Sequence, residues 1–225
     1  VGQTPKALSQ ENKKIVFKDE NLERAVKEQL IQQSIISSQN DDVTTEIAQK
    51  VNYLFLSHHY IKDISELSYF KRLFILDLSD NQISDISALK GLTKLTDLNL
   101  YDNYVSDINA LSGLKQLKKL NLGDNQLSDI NALKSLSKLT NLDLSINWIS
   151  DISALKSLSK LTTLDLLRNW ISDISALKSL TKLKYLNLDA NQLSDISALR
   201  SLTQLITLSL NNGARIVQDN TPQIN

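Results

Sequence analysis

The chain has 225 residues, with Lys plus Arg equal to Asp plus Glu at 25 each, so no overall field favours nucleic acid or an anionic membrane. It has no cysteine, which excludes disulfides and thiolate metal sites, and no apolar run long enough to cross a bilayer. Methionine is absent too, initiator included, so a sequence beginning at Val1 is expected to be a processed or trimmed product.

Residues 1–50 read as an N-terminal extension and helical cap. From Asp19, a suitable N-cap, Leu22, Val26 and Leu30 recur at i, i+4 and i+8, the spacing of an amphipathic helix. A polar stretch from Ser34 to Asp42 leads to a second short helical segment at Thr45 to Lys50. Residues 51–72 form a degenerate repeat that keeps Leu54, Leu56, Ile61, Ile64 and Leu67 but has His59 where later copies have asparagine.

Six regular copies of 22 residues fill 73–204, beginning at Leu73, Leu95, Leu117, Leu139, Leu161 and Leu183. One copy cannot bury its own leucines, so copies must stack until neighbours enclose a common core. The spacing predicts an α/β fold: a right-handed leucine-rich repeat solenoid with a curved parallel sheet on the concave face and short 3₁₀ or helical turns on the convex face. In the fourth copy Leu142 and Leu144 face the core, while Asn141, Asp143 and Ser145 are expected to face solvent.

Asn81, Asn103, Asn125, Asn147, Asn169 and Asn191 form a column at position nine, expected to satisfy backbone groups at the turn. Asp85, Asp107, Asp129, Asp151, Asp173 and Asp195 at position thirteen are expected to cap the convex turns. A metal column is the weaker reading, because calcium needs six to eight oxygens converging on one point. A partial copy covers 205–212, and 213–225 is an irregular tail that either folds over the last leucines or leads into further chain.

Columns that stacking does not dictate are where a partner can be read. Strand positions three, five and seven are expected to point outward on the concave face. Position five is uniformly small and polar, whereas positions seven, eight and ten vary. Both tryptophans, Trp148 and Trp170, share position ten with Tyr104, and Tyr101, Ile146, Leu167 and Arg168 fall around them. With Tyr185 these residues form the candidate partner-binding set, since Trp, Tyr and Arg dominate protein-binding hot spots. The bland alternative is that the two tryptophans stack on each other and on the backbone.

Cations recur at Lys90, Lys134, Lys156, Lys178 and Arg200, and at Arg72, Lys94, Lys138, Lys160 and Lys182. Without interleaved aromatics they read as a solvated convex face, not as a nucleic-acid site. The only histidines, His58 and His59, are adjacent and point different ways, and no phosphate loop or HExxH motif occurs. An enzyme is not expected, nor a cofactor.

The cap "VFKDENLERAVKEQL", then "VTTEIAQKVNYLFLS", then repeats carrying "LDLSDNQISDISALKGLTKL" resembles the internalin family of bacterial surface proteins over nearly the whole chain. The repeat alone is shared with intracellular phosphatase-regulating proteins of the SDS22 type, and the cap is what separates the two. The resemblance implies a monomeric, non-catalytic module, secreted or on the cell surface, that binds a protein or glycan partner on its concave face. The alternative it leaves open is a cytoplasmic regulatory scaffold.

Overall fold

The computed structural model of the chain describes residues 12–211. The first eleven residues of the expected N-terminal extension, the end of the partial copy at 212 and the expected irregular tail 213–225 lie outside the described residues.

Helix α1 (Glu20–Gln32) buries Leu22, Ala25, Val26 and Leu30, the face that the sequence spacing predicts. Its start is fixed by Asp19, whose Oδ1 accepts from the backbone N–H groups of Asn21 and Leu22 at 2.8 and 3.2 Å. The other oxygen, Oδ2, accepts from Lys62 and Asp63 of the first repeat at 2.7 and 3.0 Å. One carboxylate thus caps a helix and joins it to the solenoid. A short α2 (Thr45–Ala48) follows, capped by the Thr44 hydroxyl, and Lys14 pairs with Thr44 in an isolated antiparallel bridge.

Burial would by itself raise the Asp19 carboxyl, but the N–H groups of Lys62, Asp63, Leu22 and Asn21 outweigh it and hold the pKa below the usual carboxylate value. A group depressed on folding stabilises fully above its unfolded pKa, and that contribution is lost as pH falls through the lower folded value. Asp19→Ala is therefore expected to lower stability by about 1–2 kcal/mol at neutral pH. In thermal unfolding followed by circular dichroism from pH 7 to pH 2, the gap to wild type should close below about pH 4; a gap that persists at pH 2 would show that packing, not charge, makes the contribution.

Eight three-residue strands follow, β1 (Tyr53–Phe55), β2 (Ile75–Asp77), β3 (Asp97–Asn99), β4 (Lys119–Asn121), β5 (Asn141–Asp143), β6 (Thr163–Asp165), β7 (Tyr185–Asn187) and β8 (Thr207–Ser209). They form one parallel sheet in sequence order, each residue paired with its counterpart one repeat on. On the opposite side run 3₁₀ turns such as Ser87–Gly91 and Ser153–Ser157. The leucines and isoleucines between these layers are buried along the whole stack, and each fully buried Leu side chain stabilises it by about 1.5–3 kcal/mol.

The polar columns behave as ladders. Asn147 donates from Nδ2 to the carbonyls of Leu122, Leu144 and Ser145, while its Oδ1 accepts from Leu127 N–H at 2.9 Å. Asp85 and its equivalents accept the N–H two residues on, at the start of each convex turn. That bond, ahead of the Ser87 hydroxyl, holds the Asp85 carboxyl below its ordinary pKa. A serine ladder was not anticipated: Ser157 and Ser179 donate to carbonyls of the preceding copy, Lys134 and Lys156.

Strands are shorter than the alternating pattern suggests because position five diverts the backbone. Asp77, Asn99, Asn121, Asp143, Asp165 and Asn187 each accept the N–H of position seven in their own copy at 2.9–3.1 Å. The uniform Asp/Asn column is therefore an Asx turn repeated in every layer. As a result Ser145 does not face solvent as expected; it is only 6% exposed.

The sheet edge at β1 is closed by the cap. Gln29 Oε1 accepts from Phe55 N–H at 3.3 Å and Gln33 Nε2 donates to Tyr53 carbonyl at 3.1 Å, so α1 meets groups that a free edge would leave open. In place of the asparagine, His59 keeps one of its contacts, Nδ1 lying 2.6 Å from Ser57 carbonyl, and its Nε2 lies 3.4 Å from Glu28 of α1. At the other end Leu205, Leu208 and Leu210 are only partly buried.

Candidate functional site

The inner face of the sheet encloses a shallow hollow of about 400 Å³ lined by positions three to five of successive copies. Asp97, Lys119, Asn141, Thr163 and Tyr185 from position three alternate with Asp77, Asn99, Asn121, Asp143 and Asp165 from position five. Lys119 lies 3.5 Å from Asp97. Tyr185 donates its hydroxyl to Asp165 at 3.3 Å, and Asn187 donates to the same oxygen at 3.2 Å. Burial first, then the charge of Asp143, pushes the Asp165 carboxyl above its ordinary value against the hydrogen bonds it accepts.

Beyond position seven the chain leaves the sheet through a left-handed residue in every copy. Asp80, Asp102, Asp124, Ile146, Arg168 and Ala190 have φ of 54°, 50°, 52°, 52°, 53° and 54°. Aspartate tolerates this region, but a β-branched side chain does not. Ile146→Asn is thus expected to stabilise the fold by about 1 kcal/mol, seen as a higher midpoint in urea; an unchanged or lower midpoint would mean that Ile146 packing offsets the strain.

The candidate residues fall in three places. Tyr185 lines the inner hollow. Tyr101, Ile146, Leu167 and Arg168 sit at its rim, in positions seven and eight. Tyr104, Trp148 and Trp170 lie past the left-handed turn on the flank, 51%, 52% and 61% exposed. The set therefore spans the inner hollow, its rim and the flank beyond it. Among the described residues the ring contact is Tyr53 with Phe55, at 5.6 Å, so the two tryptophans do not stack on one another.

A second apolar group was missed. Tyr53, Phe55, Phe74 and Ile75, 40%, 46%, 44% and 39% exposed, gather at the first two strands. The signal was available in positions two, three and five, where later copies carry mostly short polar or charged residues. Among the described residues no group of three or more His, Cys, Asp or Glu could hold a metal ion, and no helix is long and apolar enough to cross a membrane.

Comparison with known proteins agrees with this geometry. The family "Leucine Rich repeats (2 copies)" matches five overlapping stretches, 71–113, 93–135, 115–157, 137–179 and 159–201. The fold of internalin C2 (inlC2) from Listeria monocytogenes superposes with a TM-score of 0.72 at 33% identity, over 87% of this chain and 94% of that one. The chain belongs to the internalin-type leucine-rich repeat proteins. A second internalin of that organism, inlF, superposes with a TM-score of 0.81 at 34% identity over 85% of this chain. This internalin-type chain spans 56% of the length of the inlF chain. No curated protein sequence matches it.

Proposed function

We propose that this internalin-type chain is a non-catalytic protein-binding module of a bacterial protein that is secreted or displayed on the cell surface, and that it binds as a monomer. Likeness to two Listeria internalins over most of the chain supports the setting. The observation that carries the binding assignment is the exposure of Trp148 and Trp170, unstacked, in a column where three of the other four regular copies carry glutamine and one carries Tyr104. Beside them Ile146 holds an aliphatic side chain at a backbone position that disfavours it. Large exposed apolar side chains with an arginine, Arg168, are what a partner's hot spot meets.

The test is capture of surface-exposed proteins on immobilised wild-type chain against the double variant Trp148→Gln and Trp170→Gln. A partner held by wild type and lost by the variant supports the assignment; equal capture of the same partner by both refutes it.

A further inference from the structure

The chain is neutral as a whole, so any strong field must come from where its charges stand. They are sorted by position. From position fourteen of each regular copy to position two of the next no Asp or Glu occurs, while lysine or arginine recurs there at positions eighteen and twenty-two. Position eighteen is balanced in space, because Lys90 shares a convex hollow with Asp85 and Asp107, and Lys178 shares one with Asp173 and Asp195. Position twenty-two is not. Among the described residues Arg72, Lys94, Lys138, Lys160 and Lys182 are exposed, and none of them pairs with a carboxylate.

These five stand on the turn that enters each strand, on the opposite flank from Trp148 and Trp170, which lie past the turn that leaves it. The stack holds them in line. Two residues further on, the N–H groups of Thr140, Thr162 and Lys184 each donate at 2.8 Å to the position-two carbonyl of the preceding copy, which sets successive layers about 4.8 Å apart. Lys138 reaches across one such layer, its Nζ donating to Gln116 Oε1 at 2.6 Å. Lys138, Lys160 and Lys182 therefore form an unbroken row of like charges that repel one another. Solvation accounts for the balanced columns, but it calls for both signs interspersed and not for a row of one sign.

A row of one sign at a short constant pitch fits a ligand that repeats the opposite charge along its own chain. Binding replaces the mutual repulsion by pairing and releases the counterions that screen it. Nucleic acid is the poorer fit, because between Lys94 and Lys184 positions twenty-one, twenty-two and two carry no aromatic side chain on which a base could stack. They carry Lys, Gln, Ser and Thr, whose amide and hydroxyl groups suit the hydroxyls of a sugar. We propose that this flank binds a linear sulfated polysaccharide, with its sulfate groups on Lys138, Lys160 and Lys182 as the central contacts. This activity is separate from protein binding at the tryptophan flank and shares no residue with it.

The test is a calorimetric titration of the full chain with a size-defined heparin fragment, its desulfated counterpart and a single-stranded DNA oligonucleotide of similar charge. The sulfated fragment should bind, and added salt should weaken it. Glutamine already stands at position twenty-two as Gln116 and Gln204, so the triple variant Lys138→Gln, Lys160→Gln, Lys182→Gln should keep the urea midpoint. It should bind about tenfold or more weakly, with a shallower dependence on salt. The charge-matched variant Lys90→Gln, Lys134→Gln, Lys156→Gln and the double tryptophan variant should bind much as wild type does, so the two assignments can fail separately. By nuclear magnetic resonance the fragment should shift the amide signals of Lys138, Lys160 and Lys182 in the wild type, a readout independent of how any variant folds. No binding by wild type, equal weakening in the two triple variants, equal binding of the desulfated fragment, tighter binding of the DNA, or shifts confined to the convex turns would each overturn the proposal.

Discussion

Asn147→Leu is expected to lower stability by roughly 3–5 kcal/mol, although leucine fits the volume and asparagine is the less apolar residue. Asn147 is 3% exposed and holds four backbone groups: three carbonyls and the Leu127 N–H. Those groups belong to two adjacent copies, so the substitution loosens both the turn and the stack. Each buried group left without a partner costs about 1–3 kcal/mol, partly relieved by local movement and water. Urea unfolding should show the midpoint falling well below that of wild type. A loss under about 1 kcal/mol would mean that the carbonyls find other donors and that the leucine layers alone hold the stack.

The double substitution Trp148→Gln, Trp170→Gln should do the opposite. Both side chains are more than half exposed and make no ring contact among the described residues, and glutamine already occupies the same position in other copies as Gln82, Gln126 and Gln192. The unfolding midpoint should stay within the range of an ordinary surface substitution, about 0.5 kcal/mol. Hot-spot aromatics contribute about 2 kcal/mol or more each, so affinity for a protein partner, measured by calorimetry, should fall by more than about a hundredfold. Loss of stability without loss of affinity would assign the tryptophans to packing.

What was legible in the sequence was whatever the stack repeats. The leucine layers, the asparagine column and the position-thirteen caps recur because every interface between copies poses the same problem, so their roles followed from period and residue type. The left-handed residue at position eight was concealed because Ile146, Arg168 and Ala190 do not advertise it, though Asp80, Asp102 and Asp124 did. The Asx turn explains both the uniform position five and the burial of Ser145, but it depends on a side-chain bond that no periodicity reveals. Gln29 and Gln33 of α1 meet the edge of β1 across 26 and 20 residues, a pairing that local pattern cannot predict.

The candidate site was legible only in part, for the same reason. Trp148, Trp170 and Tyr104 stood out as breaks in a column, and they are exposed. Which face they occupy depended on the turn at position eight, and that turn separates them from Tyr185 in the inner hollow. The apolar group of Tyr53, Phe55, Phe74 and Ile75 lies in the degenerate and first regular copies, where a changed residue looks like a boundary effect.

The division of labour between the repeated asparagines and the exposed tryptophans is read most directly by comparing Asn147→Leu with the double tryptophan variant side by side, each assayed for urea midpoint and for binding to one partner captured by wild type. A crossed result is expected: the asparagine variant loses stability and, where it remains folded at low temperature, still binds, while the tryptophan pair keeps its midpoint and fails to bind. A tryptophan variant that binds normally with an unchanged midpoint would contradict the claim that recognition resides where the repeat is broken.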